Sequence, residues 1–147
     1  MEDISELLQQ LVKLFKSQRF CVLATQYEGQ PYSNLVAFAE ADDLKNLIFI
    51  TSRNTRKYKN AISNNKVAVM IDSRTNGISD FSSVIAVTAI GTVEEPTETE
   101  RCRLASIYIS RHPNLTEFAN GPEQAVMKIK VNDYIVARFD SVQVIHM

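Results

Sequence analysis

The chain has 147 residues and a formal net charge of -1, with 45% hydrophobic and 22% charged residues. This composition is typical of a folded globular protein, and the length suits a single domain over 1–147. The 16 basic residues are balanced by 17 acidic ones, which argues against a general nucleic-acid-binding protein because such proteins are usually basic overall.

The start of the chain and its apolar runs carry no signal for export or membrane insertion. No basic segment followed by an apolar stretch opens the chain, and no run approaches the ~18 apolar residues of a spanning helix. Cys21 and Cys102 lack C-x-x-C spacing, which favours free thiols in a reducing compartment. With His112 and His146 as the two histidines, we expect no metal site. We therefore expect a cytoplasmic protein that does not bind a membrane.

Short strands and a few helices alternate along the chain. Apolar residues at helical spacing predict a first helix over 3–17, with Asp3 as its cap and Glu6 as the capping-box partner. Thr97 and Glu100 form the same signature ahead of a later helix. The predicted strands are 20–25, 32–41, 47–51, 66–72, 84–94, 125–131, 134–139 and 142–145, with a short helix over 54–64. This order predicts a mainly β fold, a barrel or a sandwich, and barrel closure would remove the exposed strand edges.

A basic segment lies where the third predicted strand runs into the short helix. Residues 51–59 read Thr-Ser-Arg-Asn-Thr-Arg-Lys-Tyr-Lys, with four cations, three hydroxyl residues and no acidic residue. Acidic residues are the usual choice in the first turn of a helix, so Arg56 and Lys57 indicate that an anion lies there. Hydroxyls, free backbone N–H groups and cations together predict a phosphate pocket. The alternative is a solvated basic face, and the lack of glycine excludes a P-loop.

Three segments of the chain resemble the FMN-binding split-barrel family typified by pyridoxamine 5′-phosphate oxidase. The first is residues 29–38, which read Gly-Gln-Pro-Tyr-Ser-Asn-Leu-Val-Ala-Phe. The second is residues 49–52 followed by Arg56 and Lys57, and the third is residues 87–94, which have the form V-x-x-x-G-x-a-E. The resemblance covers mainly residues 20–94, and it implies an antiparallel, Greek-key split barrel with flanking helices.

The resemblance also implies FMN as the cofactor, bound at the interface of a homodimer. Arg56 and Lys57 would neutralise the flavin phosphate, while residues 34–37 would lie along the ribityl chain and the ring. The loop over 74–82 would reach the flavin of the partner subunit. The residues assigned to cofactor binding in this way are Asn34, Leu35, Val36, Ala37, Ile50, Thr51, Ser52, Arg56 and Lys57.

Departures from the family's oxidase argue against vitamin B6 oxidation as the activity. Asn34 stands where that oxidase has an arginine, Ala39 stands where it has a substrate-binding lysine, and the chain has no tryptophan. The leading hypothesis is an FMN-dependent oxidoreductase of unknown substrate, with no catalytic residue assigned. The alternatives are a non-catalytic flavin or haem carrier, with His112 or His146 as an axial ligand, and a reductase that uses the deazaflavin F420. A nucleic-acid-binding barrel has only residues 56–59 in its favour.

Overall fold

The computed structural model describes residues 2–147, in which strands dominate. The helices are α1 (Ile4–Ser17), α2 (Arg56–Ser63), α3 (Asp80–Ser83), α4 (Glu98–Arg111) and α5 (Thr116–Ala119), with a 3₁₀ turn at Pro113–Leu115. The strands are β1 (Phe20–Tyr27), β2 (Gln30–Ala37), β3 (Ala39–Ala41), β4 (Asn46–Ser52), β5 (Lys66–Asp72), β6 (Ala86–Glu94), β7 (Gln124–Ala137) and β8 (Val142–His146). Within this range no helix has the length and apolar character needed to cross a bilayer.

The strands form one antiparallel sheet that curls into a half-barrel with helices on its flanks. Its strand order is β2-β1-β5-β6-β7-β4-β3, and β8 pairs with the C-terminal half of β7. The sheet curls far enough for β2, at one edge, to lie beside β4 near the other edge. The predicted mainly β barrel with flanking helices is confirmed.

Strand β7 forms the spine of this sheet. It is a single strand of 14 residues, so the predicted division into strands over 125–131 and 134–139 is wrong. The register against β6 shifts between Ile90 and Gly91, and this leaves Asn132 as the extra residue of a bulge. A Cβ at position 91 would lie 2.1 Å from the Lys130 carbonyl oxygen, so only glycine allows the close approach of the two strands.

The predicted strand over 32–41 is also divided in the structure. Strand β2 ends at Ala37, and β3 begins at Ala39 and pairs with β4 instead of β1. Between them, Phe38 is 1% exposed, and its backbone N–H donates to the Arg19 carbonyl oxygen. Burial of this aromatic ring turns the chain from one sheet neighbour to another.

Two apolar clusters hold the helices on the sheet. Leu7, Leu11 and Phe15 of α1 enter the main cluster inside the barrel. A second cluster joins the outer face of β4 to α4, where Leu104 and Tyr108 are 0% and 1% exposed. At about 25 cal/mol per Å² of buried apolar surface, such packing outweighs the helices' own propensities.

Neither predicted capping box forms. Asp3 and Thr97 do occupy the N-cap positions of α1 and α4, but their side chains make no capping hydrogen bond. Glu100 instead forms an ion pair of 2.7 Å with Lys128 on β7. Where the tertiary fold places a cation nearby, a carboxylate in the first turn of a helix pairs with that cation instead of capping a backbone N–H.

Candidate functional site

The junction between β4 and α2 is fixed by a chain of hydroxyl groups. Thr55 caps α2, because its Oγ1 accepts a hydrogen bond from the Tyr58 backbone N–H at 3.3 Å. The same oxygen lies 2.9 Å from Thr51 Oγ1, and Ser52 Oγ accepts from the Asn54 N–H at 3.2 Å. These short-range bonds order the turn and bring the hydroxyls of Thr51 and Thr55 into contact.

A cleft of about 280 Å³ opens beside this junction, between β2, β4 and the helices α4 and α5. It contains seven of the nine residues that the sequence assigns to a cofactor, and the exceptions are Asn34 and Arg56. The residues that line it are Leu35, Val36, Ala37, Ile50, Thr51, Ser52, Thr55, Lys57, Tyr108, Leu115 and Phe118. Thr51, Ser52 and Lys57 of the predicted phosphate site and residues 35–37 of the predicted ring site therefore face one common space.

Lys57 is the charged side chain of this cleft. Burial lowers the pKa of its ammonium group, and across residues 2–147 no carboxylate lies within ion-pair distance of it. The first turn of α2 contains no acidic residue. A partly desolvated cation that shares a cleft with three hydroxyl residues and a helix N-terminus has the donors that an anion requires.

Asn34 does not line the cleft but contacts its cation. In the amide orientation that satisfies both polar atoms, Oδ1 accepts from Lys57 Nζ at 3.1 Å and Nδ2 donates to the Leu23 carbonyl oxygen at 3.3 Å. The opposite orientation would point a donor at the ammonium and an acceptor at the carbonyl, so it is disfavoured.

Arg53 is the first cation of the basic segment, and a residue distant in sequence neutralises its charge. Its guanidinium forms an ion pair of 2.9 Å with Glu95, and it also donates to the Gln124 carbonyl oxygen at 3.0 Å. The Tyr58 hydroxyl donates to the same Glu95 carboxylate. The basic segment contains no acidic residue, but the fold brings the Glu95 carboxylate beside it. Through this ion pair Arg53 anchors the junction.

Arg56 and Lys59 point to the other side of α2. Both are exposed, and they line a separate cavity of about 610 Å³ together with Tyr27, Asn54, Asn60 and Ser63. The Arg56 guanidinium lies 5.4 Å from the centroid of the Tyr32 ring. The structure thus separates the Arg56 and Lys57 pair that the sequence places at one phosphate.

Three residues of the cleft were missed by sequence reasoning: Tyr108, Leu115 and Phe118. Thr55 also lines it and is one of the hydroxyl residues of the predicted phosphate pocket, but it is not among the nine assigned residues. Tyr108 is buried, and this burial raises the pKa of its hydroxyl to about 12, so the ring acts as an apolar wall. Phe118 is 41% exposed at the rim. Tyr108 follows Leu104 at helical spacing, which is a signal for burial, while nothing near Phe118 in sequence indicates its position.

The two histidines lie outside the cleft. His112 is 3% exposed, and its Nε2 lies 2.7 Å from the Phe38 carbonyl oxygen, so this ring has a structural hydrogen bond. His146 is exposed near the end of β8, where its Nδ1 lies 2.5 Å from Asp133 Oδ1. Neither ring is poised to bind a group held beside Lys57.

Several solved structures have the same fold as this chain, and their names describe different kinds of protein. A heme binding protein from Mycobacterium smegmatis matches with a TM-score of 0.84 and 13% identity over 99% of this chain and 59% of its own. Campylobacter jejuni ChuZ matches with a TM-score of 0.80 and 11% identity over 99% of this chain and 61% of its own. This chain therefore spans about six-tenths of the length of these two proteins.

A third structure is similar over nearly its whole length. It is a Clostridium acetobutylicum protein related to general stress protein 26, of the pyridoxinephosphate oxidase family. The TM-score is 0.75 and the identity 15%, over 99% of this chain and 97% of that one. Comparison with curated proteins gave no match. The model of the pyridoxamine 5′-phosphate oxidase family matches residues 7–136, which is most of the sequence. The chain belongs to the pyridoxamine 5′-phosphate oxidase family.

Proposed function

We propose that this protein binds FMN and acts as a flavin-dependent oxidoreductase, as a homodimer with the flavin at the subunit interface. The observation that carries the proposal is the ammonium group of Lys57. It is partly buried, has no carboxylate partner in residues 2–147, and lines a cleft whose other walls include apolar side chains. An anion with a flat apolar body suits both the ammonium group and these walls.

The donor set of the cleft fits a phosphate monoester. Lys57 offers a charge-assisted hydrogen bond, Ser52 offers a hydroxyl, and the N-terminus of α2 offers backbone N–H groups. This combination suits a dianion of one phosphate's size, and it lacks the glycine-rich loop needed to wrap a longer phosphate chain.

The rest of the cleft fits an aromatic ring with a polar edge. Leu35, Tyr108 and Phe118 supply apolar walls, and β2 pairs with β1 along one side only, so its outer backbone groups are available to hydrogen-bond a ligand. FMN, when bound, supplies one- and two-electron redox chemistry. The chain's residues hold the phosphate, present backbone polar groups to the ring and exclude water from one face.

The exposed rim of the cleft supports the homodimer. Two apolar side chains at the rim are open to solvent, with Leu35 67% and Phe118 41% exposed. A second copy of the chain would close the site and cover these side chains in one step.

Titration with FMN and with riboflavin tests the proposal. We expect the flavin band near ~450 nm to shift and sharpen on binding, with FMN bound at least tenfold more tightly than riboflavin, about 1.4 kcal/mol. Sedimentation in the presence and absence of FMN measures the dimer, which bound FMN should stabilise. A spectrum that does not change on adding FMN, or equal affinity for both flavins, would contradict the proposal.

Haem is a second candidate because the Mycobacterium smegmatis structure of the same fold is a heme binding protein. His112 is 3% exposed and its Nε2 is already taken by the Phe38 carbonyl oxygen, so burial of the ring argues against this residue as the axial ligand. Haemin titration, followed by the Soret band near ~410 nm, distinguishes the candidates. A sharp Soret band that survives FMN addition would favour haem over FMN.

A further inference from the structure

Asn34 connects the barrel to the one cation of the cleft. Its position on β2 lies directly opposite Leu23 of β1, and its amide nitrogen donates to the Leu23 carbonyl oxygen at 3.3 Å. Its amide oxygen then accepts from Lys57 Nζ at 3.1 Å. One short side chain is therefore anchored on a strand and holds the end of a long, flexible side chain that belongs to a helix.

We propose that Asn34 is a positioning residue that holds the ammonium group of Lys57 at the cleft and, because it is neutral, gives the site its preference for phosphorylated over unphosphorylated flavin. The flavin part of this inference rests on the function proposed above. The contact between Asn34 and Lys57 stands on geometry alone.

The neutrality of the amide is what makes the contact useful. A lysine side chain has four rotatable bonds, so an acceptor that fixes its end reduces the entropy lost when an anion binds. An amide oxygen provides that acceptor and leaves the full positive charge for the ligand. A carboxylate at the same place would pair with the ammonium and repel a phosphate, since two unit charges ~4 Å apart interact by several kcal/mol at an effective dielectric of 20.

Ser33 and Leu35, the neighbours of Asn34 on β2, are exposed, and successive side chains of a strand point to opposite faces. Because Leu35 is a wall of the cleft, a carboxylate on that face at position 33 would be no neutral control. Asn132, an exposed residue at the bulge of β7, offers a matched control, since the same change from asparagine to aspartate there lies outside the cleft.

The first experiment measures the titration of Lys57 without any flavin. Reductive methylation with ¹³C-formaldehyde labels the lysines, and Lys57→Arg identifies the Lys57 signal. We expect Asn34→Asp to raise the pKa of Lys57, because a carboxylate favours the charged form, and Asn132→Asp to leave it unchanged. If Asn34→Asp does not fold, Asn34→Ala gives the opposite sign: the ammonium loses its acceptor and its pKa falls further. A Lys57 pKa that is unchanged in both position-34 variants would overturn the inference.

The second experiment measures FMN and riboflavin binding to the same variants. We expect Asn34→Asp to weaken FMN at least tenfold, about 1.4 kcal/mol, and to change riboflavin less than twofold. Asn132→Asp should change neither by more than twofold. Equal loss of both flavins in Asn34→Asp would overturn the role in selectivity. If the wild-type chain binds neither flavin, the proposed function fails, while the Lys57 titration still decides whether Asn34 positions the ammonium.

Discussion

The basic segment places cations on two sides of helix α2, and the surroundings of these cations differ between the two sides. Lys57 enters a cleft with apolar walls, contacts the Asn34 amide and has its pKa lowered by burial. Arg56, the preceding residue, is exposed and lies over the Tyr32 ring in a cavity that is more than twice as large. Adjacent residues on a helix are about 100° apart, so this divergence follows from helical geometry.

The difference shows that charge density along a sequence does not locate a binding site. A solvated cation in an open cavity gains little when an anion arrives, because water and salt already screen it. A partly desolvated ammonium without a carboxylate partner gains much more, since the anion replaces interactions that burial has removed. We therefore propose the smaller cavity as the phosphate site.

The largest expected effect is that of Lys57→Met. This substitution keeps most of the side chain's length and removes its charge, so we expect FMN to bind roughly a hundredfold more weakly, about 2.7 kcal/mol. Riboflavin binding should change less than threefold. Lys59→Met, on the exposed side of the same helix, is the matched control and should leave FMN binding unchanged. Equal losses in the two variants would remove the distinction between the two sides of α2.

Asn60→Ala tests the other side of the helix through stability. Asn60 is 4% exposed, and its Nδ2 donates to Thr25 Oγ1 at 3.1 Å, which joins α2 to β1. The loss of this buried bond should lower the free energy of unfolding by about 1–3 kcal/mol, measured by urea denaturation at constant m-value. Ser63→Ala, an exposed residue of the same cavity, should have almost no effect.

The folded fraction of Asn60→Ala should still bind FMN like the wild type. Weaker FMN binding with normal stability would mean that the large cavity, and not the cleft, takes the ligand. A stability loss with normal FMN binding would confirm that the outer side of α2 serves to hold the helix on the barrel.

The sequence predicts the strands well and the contacts between distant segments less well. Alternation and turn signals locate β5 over the residues observed, 66–72, because these signals are local. The bulge at Asn132 merges two predicted strands, and it depends on the close contact of Gly91 with Lys130, about 40 residues away in the chain. Local patterns contain no information about such a contact.

The sequence predicts the local parts of the candidate site and misses those that depend on distant segments. The segments over 34–37 and 50–57 supply most of the cleft, since their turn, hydroxyl and charge patterns are local signals. Tyr108 and Phe118 come from segments whose packing against β4 is decided by the whole fold. The sequence also does not separate Arg56 from Lys57. The faces of a helix can be assigned only when its first residue is known, and sequence patterns leave that boundary uncertain by one or two residues.

The pH dependence of binding provides a test of the burial of Lys57. Its pKa lies below the ordinary 10.5, and a bound phosphate favours the charged ammonium, so the preference for FMN is complete below the lowered pKa. As the pH rises through that lowered value, we expect the FMN-to-riboflavin affinity ratio to fall by about tenfold. Below pH ~6 the ratio should fall for a different reason, since the phosphate itself gains a proton. Lys57→Arg should keep a constant ratio at high pH, and a high-pH fall in this variant would assign the titration to another group.

The smallest expected effect belongs to Arg56→Met, which tests the side of α2 that the sequence assigned to the phosphate together with Lys57. The guanidinium lies 5.4 Å from the Tyr32 ring centroid, and an exposed cation–π contact contributes about 0.5–1 kcal/mol. We expect a loss of stability of that size and a change in FMN affinity below threefold, so the double variant Arg56→Ala/Lys57→Ala should resemble Lys57→Ala alone. If Arg56→Met instead weakens FMN as much as Lys57→Met does, while riboflavin is unaffected, the guanidinium must leave Tyr32 when the ligand binds. The two sides of α2 would then act as one phosphate site, as the basic segment alone predicts.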